Sequence, residues 1–85
     1  MPEISRFLGI VITMFYNDHE PAHFHAVYGE RAVTISIRDE KVTGEFPARP
    51  LRLVLEWTRL HRDELFENWE LAKQRKPLKR IVPLD

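Results

Sequence analysis

Residues Arg31 to Arg38 (Arg-Ala-Val-Thr-Ile-Ser-Ile-Arg) put Val33, Ile35 and Ile37 on one side of an extended chain and Thr34 and Ser36 on the other. Strand side chains alternate with period two, so this segment is predicted to be a half-buried strand. Gly29-Glu30 comes just before it, with glycine first as a type II′ hairpin turn requires, and His23 to Tyr28 reads as the partner strand. A two-residue loop there sets Tyr28 opposite Arg31, and the register follows: Ala26 faces Val33, His25 faces Thr34, Phe24 faces Ile35 and His23 faces Ser36. A second two-residue loop at Asp39-Glu40 pairs Ile37 with Val42, Ser36 with Thr43, Ile35 with Gly44, Thr34 with Glu45 and Val33 with Phe46. The two loops agree on the faces. Phe24, Ala26, Val33, Ile35, Ile37, Val42 and Phe46 form the apolar one, with Gly44 leaving room for close approach, and His23, His25, Thr34, Ser36, Thr43 and Glu45 form the polar one.

Around this hairpin, Phe7 to Tyr16 is rich in β-branched and aromatic residues and is predicted as one strand, apolar on both faces. Asn17 to Pro21 has turn composition, and Lys41 to Phe46 supplies the fourth strand. Pro47 ends the sheet and Pro50 suits a helix's first turn. From Leu51 to about Lys76 the period becomes helical, with Val54, Trp57, Thr58, His61, Leu65, Asn68, Trp69 and Ala72 on one face, until Pro77 stops it. The tail Leu78 to Leu84 is expected to be a short strand or an extended arm. The predicted architecture is a single α+β domain over residues 1–85: a four-stranded antiparallel meander, one long helix on one face, and a C-terminal extended arm.

Composition removes several classes of function. With no cysteine there is neither a disulfide framework nor a thiolate metal site. Thirteen basic and thirteen acidic residues cancel, so nucleic acid is a possible partner that the net charge does not indicate. The one basic concentration, Lys73, Arg75, Lys76, Lys79 and Arg80, reads first as a solvated helix end favoured by the macrodipole. The opening Met-Pro-Glu-Ile-Ser-Arg lacks the pattern of a signal peptide, and the longest apolar run is far below the ~20 residues that span a bilayer, so a soluble cytoplasmic location is expected.

Three of the four histidines fall in Asp18-His19-Glu20-Pro21-Ala22-His23-Phe24-His25. Imidazoles titrate near neutrality and ligate metals, and the His-x-His end puts two of them on one strand face. The candidate binding residues are Asp18, His19, His23, His25, Thr34, Ser36 and Glu45. His19, His23 and His25 could supply three nitrogens to a metal, with Asp18 or Glu20 as a carboxylate. A complete closed ligand set is lacking, so no tight structural metal and no cofactor are expected. Alternatively, the histidines beside Glu45, Thr34 and Ser36 could cleave RNA as acid and base, with Arg31 or Arg38 the arginines available to a phosphorane.

His61 lies on the core stripe, away from His23 and His25, and is expected to be a partly buried histidine bonded to a neighbour. On this register His61→Ala costs on the order of 2 kcal/mol and His23→Ala or His25→Ala about 0.5 kcal/mol or less. Trp57 and Trp69 are assigned to the core. Phe7, Val11 and Phe15, on one face of a single long strand, need cover from the arm or a second chain.

The strings Asp18-His19-x-Pro21-x-His23-Phe24-His25 and Tyr28-Gly29 resemble the family called domain of unknown function 4160. Glu56-Trp57, His61, Glu64-Leu65 and Trp69 in the helix extend the resemblance, as does Ile81-x-Pro83-Leu84. Ala22 stands where the family pattern has a second proline. The family assigns no catalytic residue. It implies a compact bacterial α+β domain whose gene lies beside that of another small protein, in pairs that look like toxin–antitoxin modules. The expectation is therefore a small cytoplasmic binding or regulatory module, one component of a toxin–antitoxin-like system. Its partner would be the neighbouring gene's product or a second copy of itself. The alternative is a histidine-dependent ribonuclease or metal-assisted hydrolase using His19, His23 and His25.

Overall fold

A computed structural model describes residues 2–85, in the order β1 (Glu3–Phe7), β2 (Ile10–Thr13), β3 (His23–Tyr28), β4 (Arg31–Ser36), β5 (Val42–Gly44), α1 (Ala48–Leu60) and α2 (Arg62–Lys73). The strands form one antiparallel meander of five in the order β1-β2-β3-β4-β5, with β3 in the middle. The α+β class stands, with five strands in place of four and two helices in place of one.

The extra strand comes from a turn inside the first apolar run. Leu8 and Gly9 both take positive φ (51° and 83°) and fold β1 onto β2, pairing Phe7 with Ile10. Only glycine enters that region freely, so a leucine in the first loop position hides the turn from a reading by residue type. The hairpin also changes the faces. Phe7 joins Ile10, Ile12 and Met14 in the core, while Val11 and Phe15 lie outside it. Phe7 needs no second chain, because the Trp57 ring covers it at 5.5 Å between centroids.

The β3–β4 pairing is the expected one residue for residue, from His23↔Ser36 to Tyr28↔Arg31. The β4–β5 pairing is not. Ile35 meets Val42, Thr34 meets Thr43 and Val33 meets Gly44, a slip of two residues. The connection is wider than two residues: the Ser36 N–H donates to the Lys41 carbonyl and the Glu40 N–H, at positive φ, to that of Ser36. An even slip preserves facing, so the assignment of sides holds although its pairs do not. At Gly44 (φ 111°) a Cβ would lie 2.9 Å from the Ala32 carbonyl oxygen, the close approach expected there.

The single helix expected from Leu51 to Lys76 is broken at His61, whose φ of −123° leaves the helical region. A straight helix of that length would run about 39 Å. The molecule is 33 Å in its longest dimension, so a straight rod would overrun the sheet it must cover. Asp63 and Glu64 then sit in the first turn of α2, where acids suit a helix start. The stripe buries as read, with Val54, Trp57, Thr58, Leu65, Asn68, Trp69 and Ala72 against Phe24, Ala26, Val33, Ile35 and Ile37. α2 ends before Pro77 in a left-handed turn at Arg75, where the Lys76 N–H reaches the Leu71 carbonyl.

Beyond α2 the chain is the extended arm. Asn68 clamps Lys79 through two bonds of 2.9 Å, the Ile81 N–H donates to Ile4, Ser5 Oγ donates to Ile81, and the Trp57 indole donates to Val82. Three of the basic residues in and beyond the end of α2 face acids: Lys73 faces Glu20 and Glu70, Lys79 faces Glu67, and Arg80 faces Glu3. Among the described residues no helix is long and apolar enough to cross a membrane.

Candidate functional site

The site is made where the loop after β2 folds back over the polar side of the sheet. Asn17 turns the chain with φ 57°, and its N–H bonds the Ala72 carbonyl near the end of α2, which ties the loop to the helix layer. Asp18 follows, its Oδ1 accepting the His19 N–H at 2.8 Å and its Oδ2 aimed at the start of β3. The Glu20–Pro21 peptide is cis. The Pro21 carbonyl points back at His23, and the Ala22 carbonyl accepts the Ile37 N–H beside it.

His23 sits deepest, 5% exposed, between this loop and the indole of Trp69 at 5.1 Å. Its Nδ1 is 2.8 Å from the Pro21 carbonyl and its Nε2 is 2.9 Å from Asp18 Oδ2. Both nitrogens thus face acceptors, and a neutral ring can donate to only one. The cheap, exposed position that alternation predicted for His23 is therefore corrected. The parity is right, but Trp69 and the loop bury that corner of the sheet.

His25 is half-buried, with the Phe15 ring edge-on at 4.5 Å. Its Nε2 is shielded from solvent without a hydrogen-bond partner, 3.7 Å from Asp18 Oδ2. Burial pushes its pKa below the usual imidazole range, helped by His23 and opposed by Asp18. Asp18 shows the opposite balance. Partial burial works against its charge, but the His19 amide and the His23 ring outweigh that and hold its carboxyl below the usual range. Thr13, opposite His25 in the register, also has a buried, unpartnered hydroxyl.

These groups open into a groove of about 530 Å³ lined by Phe15, Tyr16, Asn17, Asp18, His19, His23, His25, Thr34 and Thr43. Of the candidates from sequence, Asp18, His19, His23, His25 and Thr34 come together. His19 is at the rim, its ring 5.1 Å from that of His23 and largely exposed. Ser36 does not join them and lines a second hollow with Arg38 and Trp69 instead. Glu45 does not either, because the two-residue slip carries it beyond the end of β5. Neither Arg31 nor Arg38 lines the groove. Phe15, Tyr16 and Asn17 were missed, since reading them as strand end and turn hid that the loop folds over the sheet. His61 lies apart, bonded to Glu64 at 2.6 Å and packed on Trp57.

The chain belongs to the family described as Domain of unknown function (DUF4160), whose profile matches residues 9–70 and so takes in every residue of the groove. No curated protein and no solved structure matches the chain.

Proposed function

We propose that this domain is a binding module of the bacterial cytoplasm, one component of a toxin–antitoxin-like two-gene system, and that it meets the neighbouring gene's product through the groove side of the sheet. The observation that supports this reading is one-sided cover. Both helices and the arm pack on the apolar face, and Trp69 with the loop covers the polar one only at His23, while Thr34, Thr43 and the exposed rings of Phe15 and Tyr16 remain on or beside it. Exposed aromatics around a polar floor suit a protein interface. The gene pairing implied by the family resemblance supplies the partner. The test is co-expression of both genes with size-exclusion chromatography, and growth assays with each gene alone. A complex that Thr34→Arg abolishes, with growth arrest by one gene relieved by the other, is the expected result. Two separately eluting proteins, neither affecting growth, would overturn it.

A second reading, a histidine-dependent hydrolase, is favoured by the convergence of Asp18, His23 and His25. No lysine or arginine lines the groove, which leaves a phosphorane without a cation and weighs against metal-free RNA cleavage. Turnover of a model phosphodiester by wild type, lost in His25→Ala, would support this second reading.

A further inference from the structure

Among the described residues, Asp18, His23 and His25 are a carboxylate and two imidazoles whose ligand atoms all lie within 4.8 Å of one another. An ion bound at about 2.0–2.2 Å from each of three tetrahedral ligands sets those atoms roughly 3.3 Å apart. The observed separations from Asp18 Oδ2, 2.9 Å to His23 Nε2 and 3.7 Å to His25 Nε2, bracket that spacing. We propose that Asp18 Oδ2, His23 Nε2 and His25 Nε2 bind one divalent first-row transition ion, with Zn²⁺ the expected occupant.

Two further features point the same way, and neither depends on the partner-binding reading. His25 Nε2 is a buried nitrogen without a hydrogen-bond partner, aimed at the same carboxylate oxygen that His23 meets. An ion at the meeting point gives that lone pair a partner. His23 also has the outer bond typical of a metal-bound imidazole: Nδ1–H donates to the Pro21 carbonyl, which fixes the ring and turns the Nε2 lone pair inward. Two nitrogens and one oxygen suit a borderline transition ion better than Ca²⁺ or Mg²⁺, which prefer all-oxygen sites.

Three protein ligands on one side leave the groove side of the ion to water or a ligand's donor atom. This differs from the closed four-ligand structural site that the sequence lacks. His19 is not assigned to it. Its Nδ1 is engaged with the Glu20 carbonyl, and its Nε2 is 3.7 Å from Oδ1, the other oxygen of Asp18.

The experiment is calorimetric titration of the EDTA-stripped isolated domain with Zn²⁺, and with Co²⁺ so that visible absorption reports the ligand geometry. Wild type should take up one ion per chain. Asp18→Asn and His25→Ala should each weaken binding by at least roughly tenfold, the loss that even outer-shell changes produce. His19→Ala should bind within about twofold of wild type, well under the 1.4 kcal/mol of a tenfold change. Circular dichroism checks that each variant is folded, and Asp18→Asn keeps the shape of the side chain it replaces. No stoichiometric uptake by wild type would overturn the proposal. So would uptake that survives both Asp18→Asn and His25→Ala, or that only His19→Ala removes, since surface histidines would then be responsible. Because the isolated domain is measured, either failure leaves the partner reading to its own test.

Discussion

Replacing His23 with alanine tests most directly what the folded chain does to this histidine. Alternation alone makes His23→Ala nearly free. The structure makes it expensive. The ring nitrogens lie 2.8 Å from the Pro21 carbonyl and 2.9 Å from a carboxylate oxygen, and the ring packs on the Trp69 indole. A neutral ring donates to one of these acceptors, and a hydrogen bond to the charged carboxylate is worth about 2 kcal/mol. The cavity adds about 1 kcal/mol more, since a solvent-reachable corner relaxes better than a central one. The expected loss is about 3 kcal/mol. A domain of this length has a total stability of only ~4–13 kcal/mol. Guanidinium melts followed by tryptophan fluorescence, in EDTA at neutral pH, would read this as a fall in midpoint of about 1.5 M for a slope near 2 kcal/mol/M. His25→Ala, which removes a half-exposed ring without hydrogen bonds, should cost about 1 kcal/mol or less. A His23→Ala midpoint within about 0.3 M of wild type, or equal losses for the two variants, would refute the buried clamp.

Ile81 anchors the arm from a nearly fully buried position, so Ile81→Ala should cost about 3 kcal/mol and lower Tm by about 15 °C; a drop of under about 3 °C would mean the arm is loosely laid. Leu8 is exposed and held at φ 51°, so Leu8→Asn should raise stability by about 0.5–1 kcal/mol in urea melts, whereas a loss would show that the leucine side chain contributes more than its backbone strain costs. The Arg6 and Arg80 guanidiniums hold the Glu3 carboxyl down to about 2 from an ordinary 4.5. Its contribution is thus fully present above pH 4.5 and is lost as pH falls through about 2, which carboxyl ¹³C shifts would follow; a midpoint near 4.5 would refute the pairing.

The parts of this fold legible in the sequence are those set by local chemistry. Gly29-Glu30 fixes a two-residue turn, and the β3–β4 register follows from it one pair at a time. The next turn shows the limit of that logic. Asp39-Glu40 looks like another two-residue loop, but hydrogen bonds from Ser36 to Lys41 and from Glu40 to Ser36 make it wider, and Glu45 leaves the site as a result. The sidedness survived because side-chain alternation is insensitive to a slip of two. For the candidate site, the histidine cluster and the shared face of His23 and His25 were likewise readable, because they depend only on spacing along one strand.

By itself the sequence determined period and composition: which residues alternate, which recur at helical spacing, and that Asp18, His23 and His25 lie close along the chain. These follow from backbone geometry within a few residues. Tertiary structure decided the remainder. It folded one apolar run into two strands at a leucine that no turn rule selects, and it broke the helix at His61, where a straight rod would have outrun its sheet. It also tied Asn17 to Ala72, which brought the Asp18 carboxylate over β3 and closed Trp69 against His23. Alternation reports which way a side chain points from its own strand. Whether water or another layer waits on that side depends on segments some fifty residues away, and only their packing settles it.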